Sequence, residues 1–230
     1  PLLDLLPDTQ PLAWVRSGEG LVGWGTYATT TVSGPHRFAD ARHWWQKQLE
    51  KLTVNNTVHG SGTGPVLFAS FSFAPDDVSV LVIPEVVVGT KSGKSWITWI
   101  GSDSQPDLKT TPDHFSNGEM KWDEQPQANE LWKERVATAV SQIQKGDIEK
   151  VVLARDITIT SSKAIDPRSI LNKLALEYPT TWKFAISGLV GATPELLLRL
   201  SRGMITSRVL AGTISKTGED AKDRALAVSL

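Results

Sequence analysis

The feature that most constrains the fold is a series of short β-like runs in the first part of the chain, separated by turn residues. The turns at residues 74–77 and 89–93 are too short to hold the crossover helix that parallel neighbours require. The pattern therefore predicts connected antiparallel strands and not βαβ units. The expected strands lie at residues 12–15, 20–27, 66–73, 78–88 and 95–100.

Apolar residues at helical spacing predict four helices. Gly146 is the residue type that commonly follows a helix end, so the second helix is expected to stop there. Asp166 and Pro167 are typical of an N-cap and a first helical position, and they predict the start of the third. The expected helices span residues 37–52, 127–146, 166–179 and 219–230.

Four further β-like runs alternate with the later helices, at residues 148–160, 182–187, 195–200 and 204–210. Helices mixed with mostly antiparallel strands predict an α+β fold. Residues 102–126 are polar and rich in turn formers, which favours a long surface loop or linker. We therefore divide the chain into an N-terminal part, residues 1–126, and a second part, residues 127–230.

Composition excludes several classes of function. The 24 Lys and Arg residues balance 25 Asp and Glu residues, so the chain lacks the positive field that nucleic-acid binding relies on. Without cysteine there is no disulfide, thiolate nucleophile or Cys-ligated zinc. No apolar run approaches the roughly 20 residues of a membrane span, and the first residues lack the pattern of a signal peptide. We expect a cytoplasmic protein that binds neither nucleic acid nor membrane.

The segment Gly89–Ser95 has the composition of a phosphate-binding loop but not its spacing. Three residues separate its glycines, where the loop has four. Residues 96–100 are β-like, whereas a phosphate loop leads into a helix whose N-terminus meets the phosphate. We expect a hairpin turn here.

Lys150 is unusual because it lies inside the run at 148–160, which otherwise has the pattern of a buried strand. On a strand it shares a face with Val152 and Ala154. Either its side chain extends to an edge and reaches solvent, or it enters a cavity, where desolvation depresses the pKa of an ammonium. The strand pattern leaves both alternatives open.

Glu195 is a lone carboxylate between a Gly/Pro turn and an apolar run, surroundings that can raise a carboxyl pKa. A lysine kept neutral and a carboxylic acid kept protonated would form a general base and a general acid. In the segment Leu210–Thr213, Gly212 permits close backbone approach and Thr213 offers a hydroxyl. The alternative for that segment is a plain turn at the end of a strand.

Taken together, and in this order, the segments Lys150–Arg155, Gly191–Leu198 and Leu210–Thr213 resemble the motifs of the chorismate-utilising enzymes, and within them the isochorismate synthases. The resemblance covers about residues 130–230. The earlier segments at 21–25 and 64–71 look like the variable N-terminal half of the same family.

The resemblance implies a fold, a reaction and a set of roles. The fold would be part of a layered β/α/α/β sandwich with mostly antiparallel sheets. Lys150 matches the base that activates water for attack at C2 of chorismate, and Glu195 matches the acid that protonates the departing C4 hydroxyl. Ala211, Gly212 and Thr213 match the turn that contacts the substrate. The family also uses magnesium, whose ligands we expect beyond Leu230, in a C-terminal remainder of the protein.

Several alternatives remain open within and outside this resemblance. Lys150 together with Ala211 indicates water as the nucleophile, because the aminodeoxychorismate type carries a lysine at the position of Ala211. Salicylate synthases share both features, and a non-catalytic ligand-binding or regulatory piece is a further alternative. The product could serve menaquinone or siderophore synthesis. We also expect the 230 residues to be a piece of the enzyme and to be inactive alone.

Overall fold

The computed structural model describes residues 1–8, 10–110, 118–122, 126–201, 203–207 and 217–229. The chain forms two compact units, one made of Pro1–Asp113 with Pro167–Leu230 and the other of His114–Asp166. The first unit thus takes residues from both sides of position 126. The division at that position, between a variable part and a substrate-binding part, remains a prediction.

The first unit holds most of the strands. Before residue 114 it contains a short 3-10 helix at Leu2–Leu5 and then β1 Leu12–Arg16, β2 Glu19–Trp24, β3 Ala28–Val32, α1 Arg37–Leu49, β4 Phe68–Ser70, β5 Ser79–Ile83, β6 Val86–Lys91 and β7 Lys94–Trp99. The second unit contains β8 Met120–Trp122, α2 Pro126–Lys145 and β9 Ile159–Ser161. The chain then returns to the first unit with α3 Pro167–Glu177, β10 Trp182–Ile186, β11 Leu189–Thr193, β12 Arg199–Ser201, β13 Met204–Thr206 and α4 Asp220–Ser229.

A six-stranded sheet organises the first unit, in the order β11-β10-β1-β2-β6-β7. Each neighbouring pair is antiparallel, and β1 lies between β10 and β2, so that Ala13 faces Ala185 on one side and Val22 on the other. A smaller antiparallel sheet has the order β3-β5-β4, and β12 pairs with β13. The prediction of an α+β chain with mostly antiparallel sheets is confirmed.

Alternate residues of the central strands feed two cores, because successive side chains on a strand point to opposite faces. On one face Val15 packs with Leu6, which follows the 3-10 helix, and with Leu171 of α3. On the other face Leu12 packs with Phe68 and Val82 of the small sheet. The six-stranded sheet therefore lies between a helical layer and a second sheet within this unit.

The hairpin of β6 and β7 confirms the expectation for Gly89–Ser95. Lys91 pairs with Lys94, and the two residues between them, Ser92 and Gly93, have φ values of 50° and 74°. Positive φ at both central positions is the signature of a type I′ hairpin turn. The segment is therefore a strand connection without a following helix.

Two differences from the predicted strands in the N-terminal part of this unit have local causes. The run at 78–88 is not one strand, because it is interrupted at Pro84, which has no backbone N–H for a sheet ladder. Its two parts, β5 and β6, enter different sheets. The strand β3 was not predicted, because its Thr29–Thr31 core shows no apolar alternation.

The second unit is built around α2, which confirms the predicted helix from Gln127. Gly146, with φ 80°, donates its N–H to the Ile143 carbonyl, and the Asp147 N–H reaches the Gln142 carbonyl. These two bonds form a Schellman motif, which satisfies carbonyls that the helix end leaves without partners. Gly146 therefore ends the helix as expected.

The strand predicted at 148–160 is wrong over most of its length. Only Ile159–Ser161 forms a strand, β9, which pairs with β8. No other strand of this unit, among its described residues, offers a ladder to residues 148–158. Most of their apolar side chains are consequently exposed, with Val152 92% accessible. A strand pattern in a sequence is not sufficient to form a strand when no neighbouring strand is available for pairing.

In the described part of the chain, no helix is both long enough and apolar enough to cross a bilayer.

Candidate active site

Lys150 lies in the second unit, four residues after the glycine that ends α2, and its side chain is exposed. It follows Asp147, whose backbone is fixed by the Schellman motif at the helix end. The predicted placement of Lys150 on a buried strand is therefore wrong in this structure. Its role as a base is not tested by this placement and remains a prediction.

Arg155 closes the motif that begins with Lys150, and it is held on α2. One guanidinium nitrogen, Nη1, donates a hydrogen bond of 2.7 Å to Asn129 Oδ1. The guanidinium carbon lies 5.6 Å from the centre of the Trp132 ring, a cation–π contact. These residues, with Arg135, line a groove of about 320 Å³ within the second unit.

Glu195 lies in the first unit, just beyond the edge strand β11, and is exposed. Thr193 fixes the backbone there, since its hydroxyl donates to the Glu195 carbonyl and accepts the Glu195 N–H, both at 3.3 Å. Of the strand predicted at 195–200, only residues 199 and 200 form a strand, as part of β12. Pro194, which cannot donate to a ladder, directly precedes the irregular stretch.

The remaining predicted site residues, Ala211, Gly212 and Thr213, lie outside the described residues. Lys150 and Glu195 belong to different units, and each is described within its own. Their expected arrangement on two sides of one substrate ring therefore remains a prediction.

Lys183 of β10 is buried, alone among the lysines that the structure describes, and the sequence reasoning did not single it out. Its side chain is only 2% exposed, and Nζ donates to the carbonyls of Tyr178, Pro179 and Thr181 at 3.1, 3.0 and 2.8 Å. Burial, and after it the positive charge of Arg16, lowers the pKa of Lys183. Each of the three ammonium N–H groups has a carbonyl acceptor in the loop between α3 and β10. Lys183 therefore stabilises that loop and has no N–H left for a ligand.

Part of the signal for Lys183 was present in the sequence, in the alternation of the strand. In strand β10 it alternates with Trp182 and Phe184, so it shares a face with Ala185, which the helical layer covers. A lysine on the covered face of a central strand must find acceptors inside the protein.

Two acidic residues near the end of the chain, Glu219 and Asp223, bond other groups of the protein. Glu219 pairs with Lys222 at 2.7 Å. Asp223 accepts the Thr217 N–H and hydroxyl at 2.7 and 2.9 Å, and these bonds lower the pKa of its carboxyl. Within the described ranges, no three His, Asp or Glu side chains cluster as metal ligands would.

Residues 12–230 match the family model described as chorismate binding enzyme. This range includes Lys150 and Glu195.

Two curated relatives show similar levels of identity. The isochorismate synthase MenF of Bacillus subtilis (strain 168) is 28% identical over 244 aligned positions, which cover 91% of this chain and 52% of the relative. The isochorismate synthase EntC of Escherichia coli (strain K12) is 28% identical over 185 positions, 78% of this chain and 44% of the relative. The chain therefore spans about half the length of the curated relatives it matches.

A solved structure has the same fold. It is that of a protein assigned as a 2,3-dihydroxybenzoate-specific isochorismate synthase, DhbC, from Bacillus anthracis. The TM-score is 0.62 at 20% identity, and the alignment covers 100% of this chain and 56% of the other. At this identity the likeness supports the α+β fold and carries no argument about activity.

Proposed function

Because the chain belongs to the chorismate binding enzyme family, we propose that the protein carrying it is an isochorismate synthase. The observation that carries the proposal is the family match across residues 12–230, a range that contains Lys150 and Glu195. Relatives with the same activity in their names, MenF and EntC, support the choice of reaction. The substrate would be chorismate, and the reaction an isomerisation.

The two candidate residues would divide the proton transfers between them. Lys150, as the free amine, takes a proton from water while the water oxygen bonds to C2 of the ring. The ring double bonds shift and the C4–O bond breaks. Glu195, as the carboxylic acid, protonates the departing hydroxide, which leaves as water. One water is consumed and one is released, so the reaction is balanced without a redox partner.

The proposed function includes magnesium. Mg²⁺ takes oxygen ligands in octahedral geometry, commonly one or two carboxylates with substrate oxygens. The acids described near the end of the chain, Glu219 and Asp223, are engaged with Lys222 and Thr217. They do not fit such a site. The carboxylates expected to hold the ion belong to the proposed C-terminal remainder of the protein.

Ala211, Gly212 and Thr213 complete the proposed site as substrate contacts. We also propose a cytoplasmic location, in line with the cysteine-free composition.

The test is turnover of chorismate by the purified protein that carries this chain, with magnesium, and identification of the product by chromatography and NMR. Isochorismate is the expected product. Salicylate with pyruvate would instead assign the salicylate synthase reaction, and the absence of any turnover would favour a ligand-binding role.

Lys150→Ala and Glu195→Gln should each lower kcat by about 10²-fold or more, since loss of a general base or acid commonly costs on the order of 10²–10⁴. Lys145→Ala and Glu177→Gln are matched controls, because both residues are exposed and lie in the same units as their counterparts. Turnover within a few-fold of the parent for Lys150→Ala would refute its role as the base.

A further inference from the structure

The contact between Arg155 and α2 is specific in its geometry. Asn129 and Trp132 lie three residues apart on the helix, so their side chains occupy one face. The guanidinium meets the Trp132 ring at 5.6 Å and donates to Asn129 Oδ1 at 2.7 Å. A planar guanidinium can stack on a ring and donate at its edge at the same time, which an ammonium cannot do.

The segment between residues 148 and 158 depends on such side-chain contacts for its position. It forms no regular secondary structure, and its side chains are largely exposed, as for Val151, Val152 and Leu153. A backbone without ladder hydrogen bonds is the part of a fold that opens most easily. Contacts to a stable helix therefore determine where this segment lies.

Two attachments to the same helix bracket Lys150. On the N-terminal side, the Schellman bonds at Gly146 and Asp147 fix the chain to the end of α2. On the C-terminal side, Arg155 returns to α2 at Trp132.

The two attachments limit where the segment between them can lie. From Trp132 to Gly146 the helix rises about 21 Å at about 1.5 Å per residue. The chain from Gly146 to Arg155 spans at most about 32 Å when fully extended. The segment therefore runs from the end of α2 back to its Trp132 turn, with Lys150 near the middle of the segment.

From this geometry we infer that Arg155 is a positioning residue for Lys150. It acts through the segment 150–155 and does not need to touch the substrate. The inference rests on the proposed function, in which Lys150 is the base. A base displaced by about 1 Å can cost about 10²-fold in rate, so loss of the contact should appear in kcat.

The experiment uses steady-state kinetics of chorismate conversion by the protein that carries this chain. Arg155→Ala should lower kcat by about 10–100-fold and leave KM within about three-fold, since substrate contacts are retained. Arg155→Lys should recover part of the loss, and Asn129→Ala should show a smaller loss in the same direction. Arg135→Ala is the matched control, because Arg135 lines the same groove and the structure gives it no bond to Asn129 or ring contact with Trp132.

A double-mutant cycle separates positioning from a general loss of structure. In a Lys150→Ala background, Arg155→Ala should change the residual rate by less than about two-fold, because there is no base left to position. Equal losses in both backgrounds, or a loss that follows the folded fraction measured by thermal unfolding, would overturn the inference.

Failure of the inference and failure of the proposed function give different results. If the parent converts chorismate and Lys150→Ala is inactive, while Arg155→Ala behaves like Arg135→Ala, the positioning role is refuted and the proposed function stands. If Lys150→Ala retains turnover or the parent has none, the proposed function itself fails, and the inference about Arg155 falls with it.

Discussion

Replacing the buried Lys183 by Met tests how much its three hydrogen bonds stabilise the first unit. The ammonium donates hydrogen bonds to three carbonyls in the loop just before β10. Two of these carbonyls also accept hydrogen bonds from other donors. The Tyr178 oxygen also accepts the Thr181 N–H at 3.2 Å, and the Pro179 oxygen accepts the Ser17 N–H at 3.3 Å. Among the described residues no second donor reaches the Thr181 oxygen.

The expected loss follows from that difference between the carbonyls. A buried acceptor left without a donor costs about 1–3 kcal/mol. The two other oxygens each keep two of three hydrogen bonds, since the Thr181 hydroxyl also donates to the Tyr178 oxygen and the Ser17 hydroxyl to the Pro179 oxygen. Lys183→Met should therefore lower the free energy of unfolding at pH 7 by about 1–3 kcal/mol. The assay is urea unfolding followed by tryptophan fluorescence and circular dichroism. Lys173→Met is the control, because this lysine of α3 is exposed and its pair with Glu177 at 4.0 Å should contribute little.

The difference in stability between the parent and Lys183→Met should change with pH. Because the pKa of Lys183 is lowered in the folded protein, the unfolded chain holds this proton between the folded pKa and the ordinary value of 10.5. Stability rises with pH wherever the unfolded state binds more protons. The parent should therefore gain stability relative to Lys183→Met as the pH rises through that window. Equal stability of the two proteins from neutral pH to pH 10.5, or a falling difference, would refute the argument.

Two further predictions concern glycines. Gly89→Ala should destabilise the protein by about 1–3 kcal/mol through overpacking, because a Cβ there would overlap the Trp96 ring. Urea unfolding measures this loss, and an unchanged midpoint would contradict the packing. Gly146→Ala should cost about 1–2 kcal/mol, since its φ of 80° is unfavourable for a residue with a Cβ. Hydrogen exchange at the end of α2 should then increase, and unaltered protection of Asp147 would count against the Schellman motif.

The parts of the fold that were predicted correctly are those fixed by local chemistry. Gly146 ended α2 and Pro167 began α3 because capping acts over a few residues. The hairpin at Ser92 and Gly93 followed from turn chemistry in the same way. The break at Pro84 carried a local signal too, but the apolar residues on both sides concealed it.

The candidate site was predicted from resemblance more than from pattern. Lys150 and Glu195 were chosen through motifs that the family model also covers. The strand expected around Lys150 did not form, because a strand is stabilised by a partner that local sequence does not specify. Lys183 was missed for the converse reason, since its burial depends on which face of the sheet the helical layer covers.

The order of strands in the central sheet has a consequence for synthesis on the ribosome. Strand β1 pairs with β2 almost as soon as both are made, but its other neighbour, β10, follows about 170 residues later, which takes about 10–30 s at about 5–20 residues per second. During that interval the outer edge of β1 presents unpaired N–H and carbonyl groups, a template for pairing with other nascent chains. The whole second unit is translated within the same interval. Yield in the cell should therefore depend on chaperones that shield β1, and slower translation of residues 114–166 should increase aggregation even though the sequence is unchanged.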